Sequence, residues 1–86
     1  MNLLFRPRAW EHLQFWQESD KTTLKKINAL IKECRHHRFE GIGKPEPLKG
    51  DLAEYWSRRI DREHRLVYRV VGDDIEILSC RYPYQS

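Results

Sequence analysis

Glycine and proline are scarce in this 86-residue chain, at four each, which excludes collagen-like and Pro/Gly-rich low-complexity architectures. Cysteine is scarcer still: Cys34 and Cys80 stand far apart and form no Cys-x-x-Cys pair. Both fall on apolar faces, so free buried thiols in a reducing compartment are expected rather than a disulfide or redox pair. No apolar run reaches the length of a membrane span, and the one in "MNLLFRPRAW" is too short for a signal peptide. A cytoplasmic location with no membrane partner is the expectation. Repeats and linkers are missing too, so residues 1–86 read as one domain.

Several catalytic signatures are also missing. There is no glycine-rich phosphate loop, no nucleophile elbow and no Ser–His–Asp pattern. The four histidines are poorly spaced for a metal. His36 and His37 are adjacent and on a helix point about 100° apart, while His12 and His64 have no ligand-spaced companions. Neither a metal nor any other cofactor is expected.

What the chain does have is aromatic area and a slight excess of positive charge. Three tryptophans, four tyrosines and three phenylalanines supply large apolar surface to a short chain. Hydrophobic residues make up 40% and charged residues 34%, a soluble globular balance. Sixteen basic against thirteen acidic residues give a net charge of +3, which permits a polyanion partner without establishing one.

The hydrophobic pattern predicts a β-α-α-β-β-β order. "NLLF" reads as a short strand, and Pro7 suits the first turn of a helix that ends near Ser19 and Asp20. Trp10, Leu13 and Trp16 mark its core stripe. Asp20 is a good N-cap for a second helix carrying Leu24, Ile27, Ile31 and Cys34. "HRFEGIGKPEPLKGDLAE" holds three glycines and two prolines and reads as a long irregular loop, a kind that is often functional when ordered. "YWSRRI", "RLVYRVV" and "IEILSCRY" follow as strands joined by short turns, giving an α+β domain with an antiparallel meander.

A hairpin through "DREH" puts Arg59 and Arg65 at one end of the sheet, and a turn centred on Asp73 sets Arg65 roughly opposite Arg81. Which of these side chains share a face depends on a register the sequence leaves open. The long loop enters the sheet at the opposite end, so it has to fold back over one face to reach the arginines. Arginines, the loop lysines Lys44 and Lys49, and the terminal tyrosines form a candidate phosphate-binding surface with aromatic platforms, as in RNA recognition. The plainer reading pairs those arginines with Asp61, Glu63 and Asp51 in surface ion pairs. Glu46 lies between two prolines in "KPEPLKG", which restricts its backbone on both sides. Near guanidinium groups it is a candidate general base; alone it is a solvated turn glutamate.

"FWQESDK", "LKKINALIKE", "FEGIGKPEPLKG" and "YWSRRIDREHRLVYRV" resemble the YoeB (Txe) branch of the RelE-type toxins, in order and across essentially the whole chain. The resemblance implies a microbial-ribonuclease-like fold, two N-terminal helices packed on a twisted antiparallel sheet. It implies a metal-independent, ribosome-dependent endoribonuclease that cuts mRNA in the decoding A site and stops translation. A YefM-type antitoxin is the implied partner, along with a homodimer and operator DNA reached only through the antitoxin complex. Carried over by position, Glu46 matches the general base, Arg65 the stabiliser of charge at phosphorus, and Lys49 and Arg59 the phosphate contacts. Tyr84 matches a substrate-orienting tyrosine.

One position departs from that pattern. The family's tail reads Arg-Tyr-His-Tyr, with the histidine as general acid, whereas this chain reads Arg81-Tyr82-Pro83-Tyr84. Proline carries no ionisable group and cannot deliver a proton. Such an acid typically contributes on the order of 10²–10⁴-fold, so weakened cleavage is expected. Two other functions stay open: a non-cleaving module that occupies the ribosome or binds antitoxin, and a ParE-type gyrase inhibitor. The KPEP loop and the Arg59/Arg65 pair speak against the second.

Overall fold

The computed structural model describes residues 2–82. Strand β1 (Leu3–Phe5) leads into helix α1 (Pro7–Ser19), and α2 (Lys21–His36) follows with only Asp20 between the two. Pro7 opens α1 where an N–H has no helical partner. Asp20 ends α1 and caps α2: its backbone N–H donates to Trp16 O, and its carboxylate accepts from Thr23 N and Thr23 Oγ1. One residue thus reverses the chain.

Four more strands complete the sheet: β2 (Glu46–Pro47), β3 (Trp56–Arg59), β4 (Arg65–Val71) and β5 (Asp74–Ser79). Their order is β1-β5-β4-β3-β2. The helix pair carries the chain from one edge of the sheet to the other, leaving β1 beside the last strand. There it runs parallel to β5, with Leu3 opposite Ile75, so the sheet is mixed rather than wholly antiparallel. The fold is α+β, two helices on a five-stranded sheet.

The core lies between the helices and one sheet face. Ala9, Leu13 and Trp16 of α1 and Ile27, Leu30, Ile31 and Cys34 of α2 pack with Leu66, Tyr68, Ile75 and Ile77 of the strands. Trp10 does not belong to it. Its side chain is 50% exposed and stands edge-on to Phe5, because Ala9 takes the inward position on α1. Cys34 and Cys80 are buried free thiols, and burial pushes them up to about 11 and about 12.

The long segment after α2 is more ordered than its composition predicts. It contains β2 and a 3₁₀ turn over Gly50–Leu52. Its far end reaches over the sheet face away from the helices, where Glu54 accepts from Arg69 at 3.1 Å. It extends the sheet at its edge, with Glu46 opposite Ser57 and Pro47 opposite Trp56. An edge strand tolerates proline because no neighbour needs its N–H.

That path depends on a buried arginine. Arg58 is fully buried and donates to the carbonyls of His37, Glu40 and Ile42 and to the Tyr68 hydroxyl. Tyr68 Oη in turn donates to Arg38 O. Next along, Arg59 N donates to Gly43 O at 2.6 Å. Gly43 has φ +84°, and a Cβ there would sit 2.8 Å from Leu30 Cδ2, so only glycine fits.

Candidate active site on the open sheet face

Alternation along the strands separates two faces. Leu66 and Tyr68 point to the helices, so Arg65, Val67 and Arg69 point away from them. Arg59 pairs directly with Arg65, and Ser57 with Val67, which places both residues of β3 on the same open face. Glu46, opposite Ser57, joins them from β2. The register that the sequence left open therefore sets Glu46, Arg59 and Arg65 on one face of adjacent strands.

The Glu46 carboxylate accepts a hydrogen bond from Arg65 Nη1 at 3.2 Å. Arg65 is 21% exposed and Glu46 50% exposed, so the pair stands at the protein–water boundary rather than in the core. Among the described residues, the side chains of Arg59, Lys44 and Lys49 make no hydrogen bond or ion pair. Lys44 stands at φ +50° just ahead of Glu46, and Lys49 precedes the 3₁₀ turn just beyond it. The loop thus brings cations on both sides of its carboxylate.

Arg69, on the same face, has the opposite character. It donates to Glu76 (3.1 Å) and Glu54 (3.1 Å), and its guanidinium lies 5.3 Å from the Tyr55 ring centre. Two carboxylates neutralise that end of the face. The cationic end, where an anion would be attracted, is the one around Arg59 and Arg65.

The acidic groups of the β3–β4 turn are engaged elsewhere than in the expected ion pairs with arginine. The Asp61 carboxylate accepts from the backbone N–H groups of Glu63 and His64, and the Glu63 carboxylate faces His64 at 3.7 Å. Asp51 lies in the first turn of the 3₁₀ segment.

Between Val67 and Tyr68 the β4–β5 register slips by one residue, from Tyr68 opposite Ile77 to Val67 opposite Ser79. This bulge offsets the tight Gly72-Asp73 turn and carries the segment after β5 alongside Arg65, whose N–H donates to Tyr82 O at 3.2 Å. Arg81 turns the other way. Its guanidinium lies 3.5 Å from the Phe15 ring centre on α1, and its Nε is buried without a hydrogen-bond partner. Pro83 and Tyr84 lie outside the described residues.

Composition and motif spacing gave no signal for Arg58 or Ser57. Ser57 is fully buried between Glu46 and Val67, and its hydroxyl has no partner. A buried arginine on the core face of a strand is visible only once the register is known. Metal-binding clusters of His, Cys, Asp or Glu are absent among the described residues.

Two helices on one sheet face, with a carboxylate–guanidinium pair and further cations on the other, define a small α+β protein of the RelE-like toxin class. More narrowly, a family model for the YoeB-like toxins of bacterial type II toxin-antitoxin systems matches residues 5–84, and the chain belongs to that family. Toxin YoeB of Escherichia coli strain K12 is 54% identical over 84 residues, spanning 98% of this chain and 100% of that protein. A YoeB/ParE toxin from Agrobacterium tumefaciens superposes with a TM-score of 0.95 at 49% identity, covering 98% of this chain and 100% of that one. The toxin of a heterotetrameric YoeB-YefM toxin-antitoxin complex from Staphylococcus aureus gives 0.90 at 49% identity, covering 98% of both chains.

Proposed function

We propose that this toxin is an endoribonuclease that cleaves mRNA in the ribosomal A site, with chemistry slowed by the proline at position 83. The observation that carries the reading is the Glu46–Arg65 pair, 3.2 Å apart on an open face beside Arg59. In the free protein the carboxylate and the guanidinium neutralise each other. A phosphodiester drawn to Arg59 and Arg65 competes for the guanidinium and leaves the Glu46 carboxylate free to act as a base.

In the proposed reaction Glu46 takes the proton of a ribose 2′-OH, and the 2′-oxygen attacks the adjacent phosphorus. Charge on the phosphoryl oxygens is stabilised by Arg65, with Arg59, Lys49 and Lys44 holding neighbouring phosphates. The bond from phosphorus to the 5′-oxygen breaks, leaving a 2′,3′-cyclic phosphate and a 5′-oxygen that needs a proton. Pro83 cannot supply it. Tyr84 is proposed to orient the substrate, and Arg81, stacked on Phe15, to act from the margin of the site.

The same reading makes a YefM-type antitoxin the partner of this chain and the cytoplasm its location. The S. aureus YoeB-YefM complex supports the first. No helix among the described residues is long and apolar enough to cross a membrane, which is consistent with the second. A second reading, a toxin scaffold that binds ribosome or antitoxin without cutting, is favoured by Pro83 alone. Cleavage of mRNA on programmed ribosomes by this chain and by Glu46→Gln separates the two. The ribonuclease reading expects slow cleavage that falls by a further ~10²-fold or more in the variant; equal rates in the two would remove Glu46 from the chemistry.

A further inference from the structure

Residues Cys80–Tyr82 are held by more than the sheet. Cys80 N donates to His12 Nδ1 at 3.2 Å, and Trp16 Nε1 donates to Cys80 O at 2.9 Å. Tyr82 N donates to His64 Nδ1 at 2.8 Å, and Tyr82 O accepts from Arg65 N. Four bonds thus fix three residues beyond the end of β5, and two of the acceptors are histidine nitrogens from different elements. His12 comes from α1 and His64 from the β3–β4 turn.

Ordinary chain-end packing does not call for this. Tyr82 adopts φ +67°, a conformation that non-glycine residues avoid, and it does so immediately before the residues carrying the tail chemistry. His64 is itself fixed from several sides: its N–H donates to Asp61 at 2.7 Å, and its ring stands edge-on to Trp16 with centroids 4.9 Å apart.

We propose that His12 and His64 are positioning residues: their Nδ1 atoms accept from the backbone N–H groups of Cys80 and Tyr82 and so hold the segment after β5 beside Arg65. Its catalytic consequence rests on the ribonuclease reading above; the clamp itself does not. Protonating either Nδ1 turns an acceptor into a donor that faces an amide N–H, and that bond is lost. Around His12, Arg81, Arg8 and His64 oppose its protonation and Glu11 favours it, with the Tyr82 ring edge-on at 6.0 Å. Around His64, the Glu63 carboxylate stands 3.7 Å from Nε2, and the rings of Trp16 and Tyr82 lie against the imidazole at 4.9 and 6.1 Å between centroids. Burial pushes His12 below its ordinary value, which keeps its Nδ1 an acceptor at neutral pH.

The test uses asparagine, whose Oδ1 occupies the place of Nδ1, against phenylalanine, which keeps a ring and removes the acceptor. Amide hydrogen exchange at Tyr82 and Cys80 is measured in the chain as it stands and in His64→Phe, His64→Asn, His12→Phe and His12→Asn. Ribosome-dependent cleavage is measured for the same set with Pro83→His added. Expected are a tenfold or greater acceleration of Tyr82 exchange in His64→Phe and a fall in kcat with little change in KM. Both are recovered in His64→Asn, with a parallel effect at Cys80 for the His12 pair. Protection of the Cys80 amide is also expected to fall between pH 7.5 and pH 5, and by more than that of Tyr68 in the core. Unchanged Tyr82 and Cys80 exchange in the phenylalanine variants overturns the clamp. Faster exchange with unchanged kcat in a chain that cleaves overturns the positioning role. A Pro83→His chain that cleaves nothing sinks the ribonuclease reading instead, and the exchange data still judge the clamp.

Discussion

Glu46 and Arg65 meet at a half-exposed position, so their mutual attraction is screened by water and adds about 1 kcal/mol or less to stability. The pair is therefore a better candidate for chemistry than for structure. His12 is the residue through which stability should respond to pH. Burial lowers its affinity for protons, Arg81 and Arg8 lower it further, and Glu11 only partly opposes them. The unfolded histidine protonates near 6.5 while the folded one resists, so below that value the unfolded chain binds more protons. Stability present in full above 6.5 should then be lost as pH falls toward the lowered folded value. Thermal melts from pH 7.5 to pH 5 should show Tm falling with acid, with a shallower fall in His12→Gln. An identical slope in that variant would assign the acid sensitivity to other groups.

At the scale of elements, the site exists because the segment after α2 is ordered as an edge strand. Arg58 ties residues 37–42 to the core, and Gly43 hands the chain to β3 at Arg59. Removing the guanidinium strands three carbonyls and a hydroxyl, so Arg58→Met should cost about 3 kcal/mol in chemical denaturation. Gly43→Ala combines a left-handed backbone with a contact against Leu30 and should cost about 1–2 kcal/mol. A loss of less than half that in both would mean that the loop holds its path by other contacts. These two residues also mark the limit of what could be read beforehand. The strand cores, the helix pair and the Asp20 cap follow from local periodicity and turn chemistry, and Arg59 and Arg65 follow from hairpin geometry, whereas the last strand, read through Tyr82, ends at Ser79. Arg58 reads as one more surface arginine until the register buries it. Likewise Trp10 matches a core stripe on spacing alone, whereas Ala9 takes the inward position on α1. The loop's proline and glycine content correctly marks irregular backbone but hides a two-residue edge strand, which needs few hydrogen bonds.

Across the whole molecule, labour is divided between two faces. The helices close one side of the sheet into a core, and the other side, where Ser57 and Val67 are also buried, carries charges: paired around Arg69, cationic around Arg59 and Arg65. The candidate site was legible from the sequence as a set of residues and as a family resemblance, but not as a geometry. Shared facing requires the β2–β3 pairing, and the approach of residues 80–82 to Arg65 requires the bulge in β5. β5 ends at Ser79, four residues before position 83 in sequence, so a proline there removes no ladder bond from that strand. Its effect should fall on rate rather than on folding. The most direct test is single-turnover cleavage of mRNA on programmed ribosomes by this chain and by Pro83→His, with melting curves alongside. A restored proton donor should raise the cleavage rate by on the order of 10²–10⁴-fold while Tm moves by only a few degrees. Equal cleavage rates in the two chains, or a Tm change large enough to account for the difference, would contradict the account.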